Sequence, residues 1–249
     1  MEKIFTTIIS LLFCSVIVAQ SELMQKAEKD YTSGDFKSAI TSYEEITQNE
    51  GVSSSLYYNL GNAYFKNKQY PQAILNYERS LLLDPSNKDT KFNLKLAQLQ
   101  TTDKIETVDT FFLTQWFENV RDFMSSNKWA YIAVASFIVT IILLFTYIFS
   151  RRIFVRKIGF FGGVLFLVIC IFCNVCSFSQ KNKLELRENA IVFTPTVTVK
   201  GSPADSGTEI FVIHEGTKVK IRNVLGNWSE IELSDGKVGW LPSADIVKI

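Results

Sequence analysis

Histidine is almost absent: His214 is the only one in 249 residues. That excludes a multi-histidine metal site and argues against catalysis built on a nucleophile–histidine pair. Cysteine is missing from the polar parts of the chain. Cys14, Cys170, Cys173 and Cys176 all lie in apolar runs, so no disulfide framework holds a soluble domain together. Net charge is missing too, with 26 basic against 25 acidic residues. No basic patch stands out, so no nucleic-acid partner is expected. No phosphate-binding glycine loop is present. These absences together predict a protein that is not an enzyme and needs no cofactor.

Charge is also absent from three long apolar runs, near 4–19, 129–149 and 158–178. Residues 1–19 read as a secretory signal. Lys3 opens it, an apolar stretch follows from Ile4 to Val18, and small residues end at Ala19. Segments 129–149 and 158–178 each have 21 residues, enough to cross a bilayer as helices. Between them, residues 150–157 carry Arg151, Arg152, Arg156 and Lys157 and no acid. The positive-inside rule puts that loop in the cytoplasm and both flanking domains outside. A cleaved signal leads to the same topology. Cys170, Cys173 and Cys176 are spaced like iron–sulfur ligands, but positions three apart do not enclose a metal on a straight helix. They are expected to be small apolar filler.

Residues 20–100 contain a repeat. Gly34-Asp35-Phe36 through Tyr43 matches Lys68-Gln69-Tyr70 through Tyr77, with Ala39 and Ala73 34 positions apart. That is the period of tetratricopeptide helix–turn–helix units. Tyr57, Leu60, Gly61 and Tyr64 fill first-helix positions of the second unit, and Ala73, Tyr77 and Pro85 its second helix and terminator. A further helix over Lys88–Gln100 is expected to cover the open face. Repeats of this kind bind protein segments in a concave groove. Its expected lining is Met24, Glu28, Tyr31, Tyr58, Asn62, Phe65 and Phe92. Asn62 stands where related repeats place an asparagine that bonds a bound peptide.

Residues 101–128 read as a linker. Its first part is polar and flexible. Its second carries Phe112, Leu113, Trp116, Phe117, Val120, Phe123 and Met124 at helical spacing. An aromatic amphipathic helix just before a span is expected to lie in the membrane interface. Packing on the repeat domain is the alternative.

Residues 184–249 alternate as short strands with turns at Glu215-Gly216, Leu225-Gly226-Asn227 and Ser234-Asp235-Gly236. Gly216-Thr217-Lys218-Val219, Asn227-Trp228 and Gly239-Trp240-Leu241-Pro242 resemble the bacterial SH3 family. The resemblance implies a small all-β barrel that binds peptide or cell-wall glycopeptide. Trp228 and Trp240 are its candidate platform; the alternative reading makes Trp240 a core residue and Trp228 partly exposed. His214 reads as an ordinary strand residue.

The fold class expected is thus a multidomain membrane protein: an all-α tetratricopeptide array, a two-helix transmembrane hairpin and an SH3-like barrel. That order, with Asn59-Leu60-Gly61-Asn62-Ala63-Tyr64, Asn127-Lys128-Trp129-Ala130 and Gly239-Trp240-Leu241-Pro242, resembles the BatE family of bacterial aerotolerance operons. The resemblance implies a non-catalytic scaffold in the bacterial inner membrane with both soluble domains in the periplasm. It also implies partners that carry von Willebrand A domains, beside a cytoplasmic MoxR-type ATPase. The alternative is a cell-wall protein whose SH3-like module binds peptidoglycan.

Overall fold

The computed structural model describes residues 22–105 and 111–249. The expected signal segment, residues 1–19, lies outside them. Four helices form two antiparallel pairs: α1 (Glu22–Thr32) with α2 (Phe36–Asn49), and α3 (Ser54–Lys66) with α4 (Tyr70–Leu83). Helix α5 (Lys88–Gln98) covers the second pair. Local chemistry fixes the ends. Asp35 accepts from the Ser38 N–H at the start of α2, Ser53 from that of Leu56 at α3, and Asn87 from that of Thr90 at α5. Pro71 sits in the first turn of α4, and Pro85 follows its end. Ala27, Ala39, Ala63 and Ala73 are fully buried, so the helices approach closely. The Tyr77 ring lies where a side chain on Gly61 would stand, 2.7 Å from the position of a Cβ.

Among the described residues, two helices are long and apolar enough to cross a membrane: α7 (Ser126–Phe149) and α8 (Ile153–Leu186). The turn between them is only Ser150–Arg152, because Arg156 and Lys157 already belong to α8. Helix α8 has 34 residues and extends beyond the apolar run. At about 1.5 Å per residue it is longer than the roughly 30 Å hydrocarbon layer. Cys170, Cys173 and Cys176 are buried against Trp129 and Ala133 of α7.

Helix α6 (Phe112–Arg121) precedes the hairpin. Phe117 and Val120 pack toward Trp129, while Phe112, Leu113 and Trp116 remain exposed. Its C-terminal turn is tied to α8. The Gln180 amide donates to the carbonyls of Arg121 (2.7 Å) and Met124 (2.6 Å), and the Trp129 indole also donates to Arg121. The buried Arg121 guanidinium meets Asp122 at 2.8 and 3.0 Å.

Seven strands follow: β1 (Asn189–Val192), β2 (Thr196–Lys200), β3 (Glu209–His214), β4 (Lys218–Leu225), β5 (Trp228–Glu232), β6 (Val238–Pro242) and β7 (Ile246–Lys248). All paired neighbours are antiparallel, in the order β3-β2-β6-β5-β4-β1-β7. Val192, Val199, Ile213, Val219, Ile231 and Leu241 fill its core. The expected closed barrel is not found, because β3 and β7 remain separate edges. One carbonyl of β7 is met by the repeat array: Arg79 of α4 donates to Lys248 O at 2.9 Å.

The repeat array and the sheet share one apolar cluster. Ile191 and Ile249 are buried with Ile74, Tyr77 and the rest of the helical core, and Phe193 and Val247 pack against it. Lys218 pairs with Glu78 at 2.7 Å. The turn before β4 fits tightly: Gly216 has φ +83°, and a Cβ there would come within 2.5 Å of Thr101. Two repeats and a helix form a short array, and here the sheet supplies further cover. The docking also fixes both soluble parts at the same end of the α7–α8 hairpin.

Candidate functional site

The concave side of the array holds a cleft of about 270 Å³, lined by Tyr31, Tyr58, Asn62, Phe65, Lys66, Tyr77, Asn93 and Leu96. Of the seven predicted groove residues, Tyr31, Tyr58, Asn62 and Phe65 converge here. Phe92 is on α5 but points to solvent, 63% exposed. Met24 packs at the edge of the helical core. Glu28 faces the α2 side, close enough to Tyr43 to help push that hydroxyl up to about 12, after the larger effect of burial.

The polar groups of the cleft form a ladder across three helices. The Tyr77 hydroxyl of α4 donates to Asn62 Oδ1 of α3 at 2.8 Å. Asn93 Nδ2 of α5 donates to the same oxygen at 2.8 Å and reaches the Tyr58 hydroxyl at 3.3 Å. Burial, then the neighbouring Tyr31 and Tyr58, raises the Tyr77 hydroxyl above its ordinary value. Asn62 therefore spends its acceptor inside the protein. Among the described residues its Nδ2 has no hydrogen-bond partner. With Lys66 at the rim, the free groups are donors, suited to carbonyl or carboxylate oxygens. Asn93 and Tyr77 were legible as helix residues but not as groove residues, because their role depends on how α4 and α5 cross α3.

On the sheet, Trp228 and Trp240 lie on one outer face. Glu230 pairs with Trp240 in register, and the alternate residues Ser229, Ile231 and Leu241 point into the core. The core reading of Trp240 is corrected: the next residue, Leu241, is the buried one. Lys200 Nζ stands 5.6 Å from the Trp228 ring centre, so one aromatic face already carries a cation.

His214 is not an ordinary strand residue. Its Nδ1 lies 2.8 Å from Asp103 Oδ1, and its N–H donates to Oδ2 at 2.7 Å. The Thr217 hydroxyl donates to that same Oδ2 at 2.8 Å. Burial would raise the Asp103 carboxyl, but these bonds outweigh it and hold it below its ordinary value. The segment expected to be a flexible tether is thus pinned to the sheet at Asp103. Among the described residues, no three His, Cys, Asp or Glu side chains gather to hold a metal ion.

The profile of the tetratricopeptide repeat matches residues 54–87, which are α3, α4 and the turn after them. No curated protein matches the chain.

Proposed function

We propose that the chain is a non-catalytic, membrane-anchored scaffold that holds an extended segment of a partner protein in its repeat groove. The observation that carries this reading is the polar ladder, which turns the Asn62 amide and the Tyr58 hydroxyl toward an open cleft. Such donors, flanked by Tyr31 and Phe65, suit the carbonyls of a peptide backbone. In this reading α7 and α8 span a bacterial inner membrane, with the basic turn cytoplasmic and both soluble parts in the periplasm. The exposed Phe112, Leu113 and Trp116 of α6 rest in the outer interface. The curled sheet serves as an SH3-like module. The resemblance to the BatE family makes membrane proteins with von Willebrand A domains the partners to look for, in an envelope complex connected with aerotolerance.

The second reading, peptidoglycan binding through Trp228 and Trp240, is weaker. A sugar ring stacked on the covered face of Trp228 would displace Lys200. The deciding experiment is partner capture from detergent-solubilised membranes by the full chain. Asn62→Ala is a poor probe, because it strips the acceptor from the buried Tyr77 hydroxyl. Asn62→Asp keeps the acceptor and removes the donors, and Tyr58→Phe removes the hydroxyl. The scaffold reading expects both variants to lose the same membrane proteins. Undiminished capture by both would overturn it.

A further inference from the structure

A second cleft, of about 230 Å³, opens where the repeat array, the end of α8 and the sheet meet. Leu81, Leu82 and Pro85 form its apolar wall, and its charged lining is Lys91, Lys183 and Lys218, from three separate elements, with Glu78 and Asp122. Lys218 is engaged by Glu78 at 2.7 Å. Lys183 is ion-paired with both Glu118 and Asp122 at 3.8 Å. Lys91 is exposed and has no ion-pair partner among the described residues. Three lysines against the two lining carboxylates leave the cleft with one excess positive charge, and Lys91 is the unpaired ammonium among them.

Depth selects the anion. The apolar run of α8 ends at Phe178. Lys183, five residues on, stands about 7 Å above that level at 1.5 Å per residue. That is the headgroup layer, which adds roughly 5–8 Å on each side of the hydrocarbon. Gln180 lines the cleft between these levels, only 7% exposed, and its Oε1 has no donor. Its orientation is fixed, because Nε2 is taken by two carbonyls.

We infer that this cleft holds the phosphodiester of one membrane phospholipid, with the phosphate between Lys91 and Lys183 and the glycerol against Leu81, Leu82 and Pro85. The inference rests on α7 and α8 spanning the membrane but not on the repeat groove, so either can fail alone. Resistance of the full chain to alkaline extraction from membranes tests the spanning directly.

The test is native mass spectrometry of the detergent-purified full chain with phosphatidylethanolamine, or with inorganic phosphate in its place. One lipid is expected to remain bound to wild type and to survive excess phosphate. Lys91→Gln and Lys183→Gln are each expected to weaken retention about tenfold, as for one lost charge-assisted bond. Lys91 is exposed, so its variant keeps the fold, and an unchanged melting curve verifies this. Equal retention by wild type and both variants would overturn the site. Displacement of the lipid by inorganic phosphate would overturn the lipid as its source.

Discussion

At the residue scale, one turn occurs twice with different residues. Gly34 and Lys68 stand 34 positions apart and both have positive φ, +85° and +61°. Each ends its helix with the same pair of bonds: Gly34 N–H to Tyr31 and Asp35 N–H to Asp30, then Lys68 N–H to Phe65 and Gln69 N–H to Tyr64. This is a helix stop that favours glycine at the left-handed position. Lysine there carries a steric cost of about 1 kcal/mol. Lys68→Gly is expected to raise stability by about that amount, and denaturant unfolding in detergent measures it. Asp103 gives a second prediction. Asp103→Ala leaves the His214 N–H and the Thr217 hydroxyl without their acceptor, at a cost of about 1–3 kcal/mol. The folded carboxyl sits below its ordinary value. Its contribution is therefore complete above the ordinary carboxylate range and is lost as pH falls through the folded value. The protection factors of β4 amides, corrected for the intrinsic exchange rate at each pH, are expected to fall on acidification in wild type. In Asp103→Ala this acid-dependent part is expected to vanish.

At the element scale, what was legible in the sequence followed from local pattern. The 34-residue period marked α1–α4, the charge-free runs marked α7 and α8, and alternation marked most strands, because each signal lies within one element. The extension of α8 through Leu186 was not visible, since Ser179–Leu186 is polar and helix-compatible without being apolar. The fastening of α6 was hidden too. Its apolar face read as a membrane surface, yet its C-terminal turn is held by Gln180, a residue 59 positions from Arg121. Gln180→Leu removes both bonds to the Arg121 and Met124 carbonyls. It is expected to cost about 2–3 kcal/mol, seen as a lower thermal midpoint in detergent. Phe112→Ser with Trp116→Ser touches only the exposed face. That pair is expected to weaken insertion of α6 into vesicles and to leave the midpoint unchanged.

At the scale of the whole molecule, the docking of array and sheet was the least legible feature. Asp103 and His214 are 111 positions apart, and Ile191 and Ile249 look like ordinary strand residues in the sequence. Their burial in the helical core depends on the path of the chain through α7 and α8. The Asn62 groove was partly legible, because the repeat pattern assigned Tyr58, Asn62 and Phe65 to the concave side. Asn93 and Tyr77 entered only with the crossing of α4 and α5 over α3. The shared core predicts that neither soluble part is independent. Residues 184–249 expressed alone are expected to expose Ile191, Phe193 and Ile249 and to bind a hydrophobic dye. Added repeat domain is expected to quench that binding.

Because Asp103 and His214 meet across the hairpin, the order of synthesis matters. The repeat array emerges first and waits, its α4 face bare, until the chain has passed α7 and α8 and the sheet appears. On the proposal that α7 and α8 span a bilayer, failure of one span to insert would deliver the sheet to the side away from the array and leave Ile74 and Glu78 of α4 without their partners. The interface thus reports on its own biogenesis. On that proposal, only a correctly threaded chain buries Ile191 and Ile249 against the array.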